Sequence, residues 1–251
     1  MKHLMSGFPK NHPFAVEAFF DYSAVLAYAV PPEEVRHLVP GCFELDLFQD
    51  EWAFLAVAMV KTSQMRPSGF PKWLGREFFL IGYRVFVRHQ SSCGRKLRGL
   101  YILRSDTDKY FMQLLGNLFT HYKYRTVDVE TYRSKETLSV SSSASGLDVE
   151  FGVNGGTDTP LPAGSPFQDW REARRFAGPM PFTFTYLEDA QSALIVEGVR
   201  EDWKPKPVTV VRKKVLLLEE MNFSKCRLAN AFIVEGVPYK WKRGKIERLP
   251  G

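Results

Sequence analysis

The sequence predicts an α+β protein that is predominantly antiparallel β, its sheet curled or closed into a barrel with a few short helices beside it. Three observations predict this. Strand-like runs recur along the whole chain, roughly ten of them, and neighbours in sequence are mostly joined by short turns, which favours antiparallel pairing and closure. Aromatic residues make up 14% of the 251 residues, with 20 Phe and 10 Tyr. Such side chains favour strands and large buried interiors. A chain of this length can form one large β domain, so residues 1–251 are read as a single domain.

The elements follow in order. Residues 1–14 read as an irregular arm, because Pro9 and Pro13 block helix. Ala18–Val30 reads as a long strand, with a buried helix as the alternative in so apolar a run. In PPEEVRHLVP, Pro32 suits a first helical turn, Glu33 and Glu34 suit the N-terminal dipole, and Pro40-Gly41 ends a short helix. Phe43–Phe48 alternates and precedes the apolar run Trp52–Val60, which reads as a β-hairpin. Residues 61–75 carry two Pro and two Gly and read as a long loop of the kind that borders sites.

The most regular β pattern is Phe79–Arg88. Alternation puts Phe79, Ile81, Tyr83, Val85 and Val87 on one face and Leu80, Gly82, Arg84, Phe86 and Arg88 on the other. Leu97–Leu103 returns after the turn SSCG. Asp106 or Thr107 is placed to cap a helix over Asp108–Phe119, with Tyr110, Phe111, Leu114, Leu115 and Leu118 as its apolar stripe. Tyr122–Thr131 reads as a strand, and Ser145-Gly146 as the turn of a hairpin. Residues 154–167 read as a loop and Gln168–Phe176 as a short basic helix. PMPFTFTYLED, SALIVEGVRED, VTVVRKKVLLLEE and NAFIVEGVPYKW read as the remaining strands.

Composition narrows the function classes. A net charge of +6 is spread along the chain. The dense basic cluster is Lys240, Lys242, Arg243, Lys245 and Arg248, so a solvated basic surface is favoured over nucleic-acid binding. Cys42, Cys93 and Cys226 form neither a CxxC pair nor a disulfide framework. Reduced thiols, the lack of a signal-like apolar N-terminus and the lack of any run near the ~18 apolar residues a membrane helix needs together predict a cytoplasmic protein that does not span a membrane.

No motif declares a mechanism. GxGxxG, the P-loop, HExxH and GxSxG are absent. His3, His12, His37, His89 and His121 have no metal-ligand spacing, so neither metal nor cofactor is expected. Adjacent acids such as Glu219/Glu220 point to opposite faces of a strand and make no dyad. Glu77, next to the Pro/Gly loop, is an acid/base candidate. Of Lys213 and Lys214, one should face inward, where a depressed pKa would suit imine chemistry; an edge-strand lysine that blocks strand pairing is the competing reading. Cys93 reads as an exposed turn thiol rather than a nucleophile.

Three stretches carry a resemblance. VPGCFELDLFQDEWAFLAVAMV, FFLIGYRVFVRHQ with Arg84 at its centre, and GLYILRSDTDKYFMQLLGNLFTHYKYRTVDV resemble DUF2071, a family of uncharacterised proteins in the acetoacetate-decarboxylase-like superfamily. The resemblance covers about residues 20–130 in pattern. It implies a conical β barrel with short flanking helices and an internal pocket. In acetoacetate decarboxylases an imine-forming lysine follows a helix that ends in Gly-Arg-Glu. Here Gly116 matches the glycine, Asn117 and Leu118 replace the Arg and Glu, Tyr124 falls at the lysine position and Arg125 beside it. Lys123 is one residue off, which on a strand reverses the face. Ile81, Gly82 and Tyr83 occupy the region of the acidic partner. Tyrosine forms no imine, so the resemblance implies the fold and pocket without the decarboxylase chemistry.

The reading is therefore a protein that binds a small organic molecule, a carboxylate among the candidates, in an aromatic-lined pocket, with Arg84, Tyr124 and Arg125 as its polar contacts. Whether it is an enzyme is left open. A lyase or hydrolase would use Tyr124 or Glu77 as acid/base, or Lys123 in a shifted register. A nucleic-acid-associated or structural protein would use the basic C-terminus. A homodimer would form through an exposed strand edge.

Overall fold

A computed structural model describes residues 10–156 and 159–249; His3, Pro9 and most of the N-terminal arm lie outside them. Among the described residues the first strands are β1 (Val16–Val30), β2 (Glu44–Leu45), β3 (Ala53–Pro67), β4 (Arg76–Gln90) and β5 (Lys96–Thr107). Then come β6 (Tyr124–Thr126), β7 (Glu130–Arg133), β8 (Thr137–Ser142), β9 (Leu147–Gly152), β10 (Phe182–Leu187) and β11 (Ser192–Arg200). The chain closes with β12 (Lys206–Pro207), β13 (Thr209–Val215), β14 (Arg227–Trp241) and β15 (Lys245–Arg248). The short helices are α1 (Pro32–Val35), α2 (Tyr110–Phe119), α3 (Trp170–Ala177) and α4 (Leu216–Glu220).

The large sheet runs β12-β14-β1-β3-β4-β5-β10-β11-β15, and β11 also pairs with β14. That pairing, Gly198 opposite Trp241 through Arg200 opposite Tyr239, closes a ring of seven strands. Within the ring the pairings are antiparallel except β5 with β10.

Alternation along β4 decides what the ring encloses. Phe79, Ile81, Tyr83, Val85 and Val87 join a large buried cluster on one face, while Leu80, Arg84 and Phe86 line the interior. In β1 a bulge between Phe20 and Tyr22 switches the face: Phe20, Ser23 and Val25 line the interior, and Tyr22, Ala24 and Leu26 join the outer cluster. A second sheet, β13-β9-β8-β7, covers that cluster with Leu138, Val140, Leu147, Val149 and Phe151. Each such fully buried aliphatic or aromatic side chain contributes about 1.5–3 kcal/mol.

One end of the ring is plugged. Phe167, Ala173, Ala177 and Met180, from the loop before α3, the helix and the residues after it, pack on Phe54 and Phe86. At the start of α3 Asp169 accepts from Glu172 N (2.7 Å) as the N-cap, and the Glu172 carboxylate accepts from Gln168 N (2.8 Å), one residue before it.

The structure corrects several expectations. Lys61–Pro67 extends β3 alongside β1, so the loop is shorter. β2 pairs with β4 rather than with the strand after it. The run Leu216–Glu220 is helix α4, because Leu216 N–H bonds Gly146 O and the chain leaves the sheet after Val215. Tyr122–Thr131 is split into β6 and β7. No side chain caps α2, because the helix begins at Tyr110 and puts Lys109, beyond both Asp106 and Thr107, at the cap position. The face α2 buries carries Met112 and Gly116, leaving Tyr110, Leu114 and Leu115 exposed.

Candidate functional site

Inside the ring is a cavity of about 580 Å³. All seven ring strands contribute to it, together with α2 and the residues after α3. Most of its wall is apolar, including Phe20, Phe78, Leu80, Phe86, Ile102 and Phe232. Among the described residues none of its lining side chains is Asp, Glu or Lys; the cations are Arg66, Arg76, Arg84 and Arg200.

Arg84 differs from Arg66, Arg88, Arg98 and Arg200. Arg66 pairs with Glu17 at 2.9 Å, and Arg88 and Arg98 both reach the buried Asp46. Arg200 donates to the carbonyls of Pro179 (2.9 Å) and Met180 (3.3 Å) and lies 5.0 Å over the Trp203 ring. Among the described residues no carboxylate pairs with Arg84, and its Nε is buried with no hydrogen-bond partner. Its guanidinium folds back over Gly82, where a β-carbon would sit 3.0 Å from both Nε and Nη2. A charge in an apolar wall is costly without a counter-charge, so this geometry is suited to an anion that arrives from outside.

Three tyrosines surround it. The rings of Tyr122 and Tyr124 are 6.2 Å apart, and Tyr239 stacks on Phe20 at 4.5 Å. Burial raises the phenol pKa of all three, that of Tyr124 to about 12, while the positive charge of Arg84 pulls each the other way. The phenols are therefore neutral at physiological pH and available as hydrogen-bond donors. The Trp203 indole N–H is also buried without a partner.

Tyr124 is positioned by two consecutive residues of α2. Asn117 Oδ1 accepts its N–H at 2.7 Å, and Asn117 Nδ2 donates to its carbonyl at 2.8 Å. A β-carbon on Gly116 would lie 2.5 Å from Tyr124 Cε2, so the ring rests directly on that glycine's backbone.

Of the residues singled out from sequence, Arg84 and Tyr124 meet in the cavity. Arg125 does not. It is half-exposed and grips the buried Asp106 with Nε and Nη2, each at 3.1 Å. Neighbours on a strand point to opposite faces, so Tyr124 facing in sends Arg125 out. Glu77 is exposed and does not line the cavity. Lys123, at a left-handed φ of 55°, is exposed and also outside it. Lys213 and Lys214 are both exposed on β13, the edge of the second sheet, which removes the inward-facing lysine. Cys93 is exposed in its turn.

The sequence reading missed Tyr122, Tyr239, Arg200 and Trp203 as cavity residues. Tyr122 lies outside β6, and the left-handed Lys123 between it and Tyr124 breaks strand alternation, so periodicity gives no signal for it. Among the described residues no group of three or more His, Cys, Asp or Glu is placed to hold a metal, and no helix is long and apolar enough to cross a membrane.

Residues 20–238 match the model of DUF2071, described as an uncharacterized conserved protein. The chain belongs to this family. No curated protein matches the DUF2071 chain. Among solved structures it is similar to acetoacetate decarboxylase from Legionella pneumophila subsp. pneumophila str. Philadelphia 1, with TM-score 0.56, 14% identity, and 94% of this chain and 89% of that one covered. It is similar to an acetoacetate decarboxylase-like enzyme from Sphingomonas wittichii RW1, with TM-score 0.57, 12% identity and coverage of 95% and 93%. The enduracididine biosynthesis enzyme MppR complexed with pyruvate matches with TM-score 0.57, 11% identity and coverage of 93% and 90%. At these identities the likeness shows a shared acetoacetate-decarboxylase-like fold.

Proposed function

We propose that this DUF2071 protein binds a small organic carboxylate in the ring cavity, with Arg84 as the anion's partner and Tyr124 as a second donor. The carrying observation is Arg84, a cation in a largely apolar wall with no carboxylate beside it among the described residues. The neutral phenols around it add donors and no competing negative charge. The MppR structure in complex with pyruvate, a carboxylate, supports the same reading by fold. Imine chemistry is not part of the reading, since arginines and tyrosines, and no lysine among the described residues, line this cavity.

Two of the neighbours are named as acetoacetate decarboxylase or a similar enzyme, which favours a lyase as the second reading. In that case Tyr124 serves as a proton donor, since its raised pKa suits an acid rather than a base.

The test is a calorimetric titration of the wild type and of Arg84→Met with carboxylates. Charge-assisted hydrogen bonds contribute about 1.5–3 kcal/mol, so the variant should bind roughly 10- to 100-fold more weakly. Its melting temperature should not fall, because no ion pair is broken. Equal affinity in the two proteins refutes the proposal.

A further inference from the structure

We infer that the ligand is a monocarboxylate with an extended hydrocarbon or aromatic body and no amino group, bound head-first with its body running back to the rim. This rests on the carboxylate reading above and adds what the rest of the cavity selects.

The depth of Arg84 is the first argument. Arg76, at the start of β4, is exposed, whereas Phe78 and Leu80 are buried and line the cavity. The Arg84 guanidinium lies over Gly82, six residues beyond Arg76. At ~3.3 Å per strand residue, rim and guanidinium are about 20 Å apart along the strand. Beyond Arg84 the way is closed by Phe86, which packs on Phe54 at 5.8 Å, with Phe167 stacked on Phe54 at 5.4 Å. An anion on Arg84 therefore has its remaining atoms directed toward the rim.

The wall along that path is the second argument. Val60, Met65, Leu80, Met112, Leu115 and Phe119 face it. At the rim Phe14, Leu74 and Leu115 are 37%, 42% and 45% exposed, so the apolar lining continues to the surface. The volume of about 580 Å³ is many times the roughly 10–15 Å³ that one water needs by the same measure. A three- or four-carbon keto acid would leave most of it to be filled by water against hydrocarbon.

Charge gives the third. With no Asp or Glu in the lining among the described residues, an ammonium group on the ligand has no carboxylate partner there. Arg200 has its donors on two backbone carbonyls and lies over the Trp203 ring, and Arg76 is exposed at the rim, which makes Arg84 the lining cation placed to take a carboxylate inside the cavity.

The experiment is calorimetry of the wild type and Arg84→Met with butanoate, octanoate, dodecanoate and pyruvate, and with octanol and octylamine as matched controls. Affinity for the acids should rise about fourfold per added methylene until the path is filled. Octylamine should not bind, and Arg84→Met should weaken the acids while leaving octanol unchanged. If butanoate and pyruvate bind as tightly as octanoate and all depend on Arg84, the extended body is refuted while the carboxylate site stands. If octanol matches octanoate, or Arg84→Met changes nothing, the carboxylate reading itself fails. Absence of binding by every acid overturns both.

Discussion

Asn117 holds the backbone of Tyr124 from both sides, accepting its N–H and donating to its carbonyl, while the neighbouring Gly116 gives its ring a flat surface to lie on. Helix and strand are thus joined at a residue that lines the cavity together with Arg84. In an ordinary helix, replacing glycine by alanine stabilises by about 1 kcal/mol. Here the added β-carbon meets an aromatic ring whose backbone cannot retreat. Gly116→Ala should therefore destabilise and weaken carboxylate binding together. Asn117→Ala should cost roughly 1–3 kcal/mol for two lost hydrogen bonds. Urea melts and calorimetry of the two variants check both statements.

Asp106 is the corresponding junction on the other side of the sheet. Fully buried, it takes Arg125 in two contacts of 3.1 Å, Arg104 at 3.0 Å and the Ser145 hydroxyl at 2.6 Å, tying β5 and β6 to the β8–β9 turn. Removing it leaves two arginines without their partner. Asp106→Ala should lose about 3–5 kcal/mol in a urea melt. Arg125→Ala should lose under about 1 kcal/mol, since Arg125 is half-exposed and Arg104 and Ser145 remain. Similar losses in both would contradict this assignment.

The tyrosines predict the alkaline limit. Burial raises Tyr22 and Tyr124 to about 12 and moves Tyr28, Tyr83, Tyr101, Tyr122 and Tyr239 upward as well. The folded state keeps phenol protons that the unfolded chain gives up near its ordinary value of about 10. Because the native state binds more protons, stability is level below that pH and falls above it. Urea midpoints should drop from about pH 10 upward, and phenolate absorbance should lag until unfolding. Full ionisation of the native protein near the ordinary value would show that these phenols are not buried as described.

Cys93 should be the first thiol to react. The Ser91 hydroxyl at 3.1 Å and Arg95 Nε at 3.4 Å bring its pKa from 9.0 down to about 7, whereas burial raises those of Cys42 and Cys226. Iodoacetamide at neutral pH should label Cys93 fastest, with a rate midpoint near its lowered pKa, and Arg95→Ala should move that midpoint up. Equal labelling of all three cysteines by mass spectrometry would exclude it.

Much of the architecture was legible because period-two alternation carries direct information about faces. Phe79–Val87 divided correctly into core and interior positions, and Arg84 fell on the interior side. Alternation should also have separated Tyr124 from Arg125, which the carried-over motif had placed together. Leu216–Glu220 misled because a short apolar run has no period that distinguishes helix from strand.

The sequence by itself determined that this is a β-rich chain, and its pattern resembles DUF2071 over the stretches that pair as β3, β4 and β5. Those properties reside in local pattern and residue identity. Only the tertiary structure decided that Arg84 has no carboxylate partner among the described residues and that Tyr122, Tyr124 and Tyr239 gather around it. Tyr239 comes from β14, whose pairing with β11 closes the ring, and no local rule encodes a contact between residues so far apart in the chain. A charge is paired or unpaired according to every side chain that could reach it, so its state is a property of the whole fold.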